Sequence, residues 1–161
     1  MTRAVLSLGS NLGDRRRLLM DAVASLEHEV TVSAVSSVYR TPPWGPVPQD
    51  EFYNLVLAAE SADTDPYGWL GRCAELERAA GRVRDLRWGP RTLDVDVIVV
   101  DDIVSMDPDL ILPHPRAHER AFVLLPWWEV EPDAVLPGAG RIADLLSALD
   151  ISNIALVNDV G

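Results

Sequence analysis

Apolar residues recur along this chain with two different periods. The mostly apolar run Ala4-Val5-Leu6-Ser7-Leu8 stops at Gly9-Ser10-Asn11 and reads as a short buried strand. From 14 to 29 the period lengthens: Leu18, Leu19, Ala22, Val23 and Leu26 fall on one helical stripe, with Asp14 placed as the N-cap. Residues 31–39 alternate and are rich in Val, Ser and Thr, which predicts a second strand, and 52–59 predicts a third. Between those two, 42–49 is rich in proline and reads as a loop. Asp65-Pro66 opens a second helix, carried to about Ala80 by Trp69, Leu70, Cys73, Leu76 and Glu77 and ended by Gly81. After a loop at 82–92 comes a strongly apolar strand, 93–100, interrupted by two aspartates. Asp101-Asp102 turns into weaker strand material ending at 111–113, followed by helices at 118–129 and 142–149. The order β-α-β-β-α-β, with no internal repeat, predicts an α+β fold: a ferredoxin-like sandwich, a mainly antiparallel sheet flanked by helices. The 161 residues suit a single domain, with 150–161 expected as a loosely attached tail.

Composition narrows the function. The net charge of −11 sets the chain against nucleic acid and anionic membranes as partners. No apolar run reaches the length of a membrane span, so a soluble, cytoplasmic protein is expected, with monomer as the default state. Cys73 is the only cysteine, which excludes an internal disulfide and a thiolate metal cluster. All 14 basic residues are arginine. Without lysine neither a P-loop lysine nor a protein-kinase strand lysine can exist, so any phosphate chemistry must use guanidinium groups.

Five of those arginines, Arg78, Arg82, Arg84, Arg87 and Arg91, crowd into one segment of an acidic chain. Arginine forks bind phosphate oxygens, and the segment feeds directly into Asp94-Val95-Asp96. On a strand Asp94 and Asp96 point to one side, with α-carbons about 7 Å apart, while Leu93, Val95, Val97 and Val99 enter the core. Two carboxylates so placed suit a pair of magnesium ions about 3.5–4 Å apart. Alone, the aspartates are also the pattern of a strand with one solvated face, and an isolated arginine run is usually a solvated loop. Joined, they supply the metal ligands and cations that phosphoryl transfer needs. Phe52 and Asn54 share a strand face and offer an aromatic platform beside a carboxamide able to read a guanine-like edge, although a core Phe with an incidental Asn fits the same pattern. The stiff stretch from Thr41 to Pro46 is either a pocket rim or a rigid connection. His114 and His118 have helical metal-pair spacing, but Pro115 between them and the scarcity of histidine argue against zinc. A His beside arginines can instead donate to phosphate oxygens.

Gly9-Ser10-Asn11-Leu12-Gly13, Tyr39-Arg40-Thr41-Pro42-Pro43, Phe52-Tyr53-Asn54, Gly81-Arg82-Val83-Arg84, the block from Arg87 to Asp96 (RWGPRTLDVD) and Pro113-His114-Pro115-Arg116 occur here in one order. Together they resemble the 6-hydroxymethyl-7,8-dihydropterin pyrophosphokinase family over residues 3 to about 149. The resemblance implies an enzyme that moves the β,γ-diphosphate of ATP onto the hydroxymethyl group of the pterin, releasing AMP, in folate biosynthesis. It implies two Mg2+ ions on Asp94 and Asp96, and Arg82 and Arg91 on the diphosphate in flight. Phe52 and Phe122 would sandwich the pterin, with Asn54 on its edge and Thr41, Pro42 and Trp44 closing the pocket. Arg84, Trp88, His114, Arg116 and Arg120 would serve ATP, with Leu70, Glu77 and the backbone near Val97 and Ile111 around its adenosine half. The loops at 42–49 and 81–91 would be lids. Pro115, Ala74 and a shortened stretch between Arg84 and Trp88 depart from some members, and these bear on ATP binding rather than on the reaction.

Two rival readings follow from the same residues. One is a non-catalytic module binding single-stranded RNA through Phe52 and the arginine loop, which the acidic net charge opposes. The other is an ATP-dependent transferase acting on a different alcohol, against which only Phe52, Asn54 and the resemblance speak.

Overall fold

The two periods sort into strands and helices as their spacing requires. The computed structural model describes residues 1–11, 13–42, 51–81 and 93–157 of the chain. Its main elements are β1 (Thr2–Ser10), α1 (Arg15–Glu27), β2 (Thr31–Val35), β3 (Tyr39–Thr41), β4 (Phe52–Ser61), α2 (Pro66–Ala79) and β5 (Asp94–Val100). They are followed by the ribbon β6 (Ser105–Asp107) and β7 (Leu110–Leu112), a 3-10 turn at Ala117–Glu119, and α3 (Ala121–Val130). A small hairpin, β8 (Val135–Leu136) and β9 (Gly140–Arg141), then α4 (Ile142–Ser147) and β10 (Ala155–Leu156) complete the chain.

The main sheet runs β10-β3-β4-β1-β5, with β2 also paired to β4, and every pairing in it is antiparallel. This is the α+β ferredoxin-like arrangement that the element order predicts. Alternation in the strands sends side chains to two cores. On one face Leu6, Leu8, Leu55, Leu57, Val95 and Val97 pack against Leu19, Val23 and Leu26 of α1 and Trp69, Cys73 and Leu76 of α2. On the other, Val5, Val56, Ile98 and Val99 meet Val123, Leu124 and Trp127 of α3 and Ile142 of α4. Burying side chains of this size contributes about 1.5–3 kcal/mol each, which makes the two-faced sheet the main stabilising element.

The structure departs from the sequence-based expectations at four places. The strand expected over 31–39 is two strands, because Ser36 leaves the ladder and its hydroxyl accepts from Val56 N at 2.9 Å. In β5 the register slips opposite Val5 and Leu6, so Val99 joins the α3 face instead of following Val95 and Val97. The helix expected over 118–129 breaks at Arg120, whose backbone is extended at φ −107° and ψ 100°. Within the segment expected as a loose tail, 155–156 pair with Tyr39 and Arg40. Among the described residues, no helix is long and apolar enough to cross a membrane.

The helix starts follow capping chemistry. Asp14 accepts from Arg17 N at 3.2 Å, and Asp65, ahead of Pro66, accepts from Gly68 N at 2.7 Å. Asp65→Ala should therefore lower stability by about 1 kcal/mol in chemical denaturation, and an unchanged midpoint would show that the cap contributes nothing.

Candidate active site

Antiparallel register brings the chemistry-bearing residues into rows. Asn54 of β4 lies opposite Gly9 of β1, and Gly9 lies opposite Asp94 of β5. The adjacent row is Val56, Ser7 and Asp96. Facing partners in an antiparallel ladder point to the same side, so Asn54 and both aspartates share the α3 face. They sit at one end of the sheet, where β3 ends and β4 and β5 begin.

Gly9 opens this surface. A β-carbon built there would fall 2.8 Å from Asn54 Oδ1 and 3.7 Å from Phe52 Cδ1. The position is therefore occupied by the carboxamide of its neighbour, and a side chain would displace it. Asn54 is buried and its Nδ2 donates to Thr41 Oγ1 at 2.7 Å. That bond fixes which way the amide points: the oxygen lies over Gly9, and the Thr41 hydroxyl keeps its own hydrogen to donate. An acceptor and a donor side by side are what a fused heterocycle's edge can pair with.

From across the sheet come Arg120 and Phe122. The extended backbone at Arg120 ends the 3-10 turn and starts α3, and its guanidinium stands 5.5 Å from the Phe122 ring centroid. Burial works against the Arg120 charge, while Asp96 and, less strongly, Asp94 support it. The same arginine and Arg116 face His114. Burial first, then Arg120 and Arg116, pulls the His114 pKa from 6.5 to about 4. Near neutral pH the ring is uncharged. Its Nδ1 accepts from Arg116 N at 3.2 Å, which leaves the hydrogen on Nε2, free to be offered as a donor. His114 is held to β5 by its own N–H, which donates to Ile98 O at 2.8 Å.

A cavity of about 390 Å³ lies beside this group, lined by Thr41, Pro42, Arg116, Arg120 and Phe122 together with residues of the 150–154 segment. The remaining expected nucleotide residues lie elsewhere. Val97 is buried on the α2 face of β5, and Leu70 and Ile111 are half-exposed on α2 and β7. Glu77 of α2 is turned inward, and its carboxylate accepts from Val95 N at 2.9 Å, between the two aspartates. Sequence reading placed Glu77 by resemblance alone and missed this anchoring role. A buried acid on an otherwise apolar helical stripe was the available signal. Gly9 was read only as part of a turn, and its role depends on register, which has no local signature. Trp44, Arg82, Arg84, Trp88 and Arg91 lie outside the described residues, as do all but the first residue of each lid expected at 42–49 and 81–91.

The donor set suits magnesium. Asp94 and Asp96 are carboxylates on one face, and among the described residues no group of three or more His, Cys, Asp or Glu forms a complete cage. Magnesium is commonly held by one or two carboxylates, with substrate phosphates and water filling the octahedron. The fit is to a metal that arrives with a polyphosphate.

The comparisons with known proteins agree in one direction. Residues 5–132 match the family described as 7,8-dihydro-6-hydroxymethylpterin-pyrophosphokinase (HPPK). The chain is 52% identical over 151 residues to the 2-amino-4-hydroxy-6-hydroxymethyldihydropteridine pyrophosphokinase of Mycobacterium leprae, covering 88% of this chain and 78% of that protein. The protein of the same name from Methylorubrum extorquens is 45% identical over 159 residues, covering 98% of this chain and 99% of the relative. A crystal structure of a Plasmodium falciparum HPPK-DHPS triple mutant with SDX-DHP superposes with a TM-score of 0.72 at 16% identity. That match covers 91% of this chain but 44% of the Plasmodium chain, and it speaks for the fold alone.

The state of His114 can be tested directly. Its imidazole should titrate near 4 in an NMR pH series, against an ordinary 6.5. Between those values the unfolded chain binds a proton that the folded chain refuses, so stability should fall as pH drops through that window. His114→Gln should flatten that part of the profile. A midpoint near 6.5 would contradict the burial and the arginine field.

Proposed function

The chain belongs to the 7,8-dihydro-6-hydroxymethylpterin-pyrophosphokinase family, and we propose how its own residues divide the work of that reaction. The enzyme transfers the β,γ-diphosphate of ATP to the hydroxymethyl group of 6-hydroxymethyl-7,8-dihydropterin, giving AMP and the pterin diphosphate in folate biosynthesis. The hydroxyl oxygen bonds to the β-phosphorus, the bond from that phosphorus to the α-phosphate oxygen breaks, and the hydroxyl proton is lost. The nucleophile is a primary alcohol and the charge to be managed is large, so alignment and neutralisation are the enzyme's main tasks.

The pterin lies between Phe52 and Phe122, with the Asn54 oxygen and the Thr41 hydroxyl on its edge and Pro42 and Trp44 at the rim. Support comes from the Asn54–Thr41 bond, which fixes the polarity of that edge before any ligand arrives. Asp94 and Asp96 would hold two Mg2+ ions, whose charge would offset the phosphates and lower the pKa of the attacking hydroxyl. Arg120, close to both aspartates in the field that it feels, balances them in the absence of metal and meets phosphate oxygens in its presence. His114, neutral at the working pH, offers a hydrogen bond without adding charge. Arg116 extends the cationic side, Arg82 and Arg91 hold the diphosphate as it moves, and Arg84 and Trp88 serve ATP. The exposed Leu70 of α2 and the backbone near Val97 and Ile111 take the adenosine half, and Glu77 holds the aspartate strand beside them. The unit acts as a single cytoplasmic domain over 1–161.

The observation that carries this division is the row Asn54–Gly9–Asp94 with Arg120 and Phe122 above it. It supports the reading because a carboxamide able to read a heterocycle and two carboxylates suited to a metal–phosphate lie on one face of β4 and β5, with Gly9 of β1 between them. The purified protein with ATP, magnesium and the hydroxymethyl pterin should release AMP and no ADP. ADP as the product would redirect the assignment to simple phosphoryl transfer. Asp94→Ala and Asp96→Ala should each lower kcat by about a thousandfold or more while the melting temperature stays close to the parent value. Near-normal turnover in either would remove it from the metal site. Gly9→Ala should push the Asn54 oxygen aside and raise the pterin KM by about tenfold with little change in ATP affinity; an unchanged pterin KM would show that the carboxamide does not read the ring.

A further inference from the structure

The last strand of the sheet belongs to no part of the machinery described above. β10 pairs with β3 through Ala155 opposite Arg40 and Leu156 opposite Tyr39, and Val157 N donates to Val38 O at 2.9 Å. Carried one step toward the site, the same antiparallel register sets Ile154 opposite Thr41, and Thr41 is itself opposite Phe52. Thr41 and Phe52, as facing partners, point to one side, and Ile154, whose N–H closes the turn on Ile151 O, is the residue immediately ahead of that ladder on the Thr41 side. The cavity supports that placement independently. Ile154, Asn153 and Asp150 line it together with Thr41, Pro42 and Phe122.

Resting on the pterin assignment above, we propose that the segment 150–154 is the outer wall of the pterin pocket, and that Ile154 and Asn153 determine how large a ring system the enzyme accepts. Ile154 extends the apolar floor one strand beyond Thr41. Asn153 is exposed at the cavity mouth, where a carboxamide can pair with whatever polar edge the ligand leaves toward solvent. Asp150 is committed to the segment's own turn, its carboxylate accepting from Ser152 N at 2.9 Å, so it shapes the wall without contributing to selection. The wall is anchored to β3, the strand that carries Thr41.

Volume changes at Ile154 test the idea in both directions. Ile154→Trp should fill the cavity and raise the pterin KM by about tenfold or more, with ATP affinity measured without pterin within about twofold of the parent. Ile154→Ala should raise kcat/KM for ring-alkylated hydroxymethyl pterins relative to the parent pterin by about tenfold, a gain that loss of packing alone would not produce. Asn153→Ala changes only an exposed side chain and should raise the pterin KM about threefold without altering the melting temperature. Unchanged pterin KM and unchanged ring selectivity in these variants would overturn the proposal. So would equal losses of pterin and ATP affinity, because those mark a general disturbance of the fold. If Ile154→Trp fails to fold, Ile154→Ala and Asn153→Ala decide. A parent protein that forms no AMP would instead sink the pterin assignment, a result separable from any variant effect.

Discussion

Everything in the candidate site hangs on the register of three strands. β1 is pinned between β4 and β5 by antiparallel ladders over most of its length, and Gly9 ends up between Asn54 and Asp94. A slip of one residue in either ladder would turn one set of side chains to the α1–α2 face and dissolve the site. The slip is opposed by the core itself. Leu6 and Leu8 are fully buried against Leu55, Leu57, Val95 and Val97; inverting β1 would take both leucines out of that core, and inverting β5 would turn Asp94 and Asp96 into it. The hydrophobic energy that stabilises the fold is therefore also what specifies the geometry of the polar residues.

The β5 bulge shows how that geometry is bounded. Up to Val97 the strand alternates, sending Asp94 and Asp96 to one face and Val95 and Val97 to the other. At Ile98 the ladder shifts, and Ile98 and Val99 both join the α3 core. The acidic part of the strand is thus confined to the end nearest the arginines, and the apolar part closes the interior behind it. Glu77 completes the arrangement from the side. β5 is an edge strand in the main sheet, and its Val95 N–H would otherwise point away from any ladder partner. A buried carboxylate on that amide ties the aspartate strand to α2 and leaves Asp94 and Asp96 on the opposite side of the backbone from the helix packing.

Much of this was legible locally. Period-two and period-3.6 patterns mark the strands and helices, and Asp14 and Asp65 announce the starts of α1 and α2. Asp94 and Asp96 can be put on one face by counting. What could not be read depends on contacts between distant residues. The break at Arg120 falls inside the stretch expected as one helix, and nothing in the local spacing marks the extended backbone that separates the 3-10 turn from α3. Pro126 also sits within α3, where it has no amide hydrogen for the Phe122 carbonyl, and the helix tolerates it among buried residues of the second core. The depressed pKa of His114 comes first from burial of its ring and then from Arg120 and Arg116 beside it, and the neighbouring arginines in the sequence do not reveal that burial. The strand at 155–156 is two residues long, too short to leave any periodic trace.

That short strand bears on the physics of the site's other boundary. An edge strand exposes a row of unpaired backbone groups, and the three-residue β3, which would be such an edge without β10, has little pairing of its own to hold it. Yet Thr41, its last residue, must keep its hydroxyl on Asn54 for the carboxamide to point one way. β3 is steadied from three directions: by β4 on one side, by β10 on the other, and by Tyr39, whose hydroxyl donates to Glu129 of α3. Burial and Glu129 push the Tyr39 pKa above its ordinary value, so the phenol stays protonated and remains a donor throughout the neutral range. The same strand that fixes the heterocycle edge is in this way tied to α3, the helix that carries Phe122. The spacing between the Phe52 and Phe122 rings is then set by backbone pairing and one side-chain bond, both present before a ligand arrives, and the ordering cost of binding is correspondingly reduced.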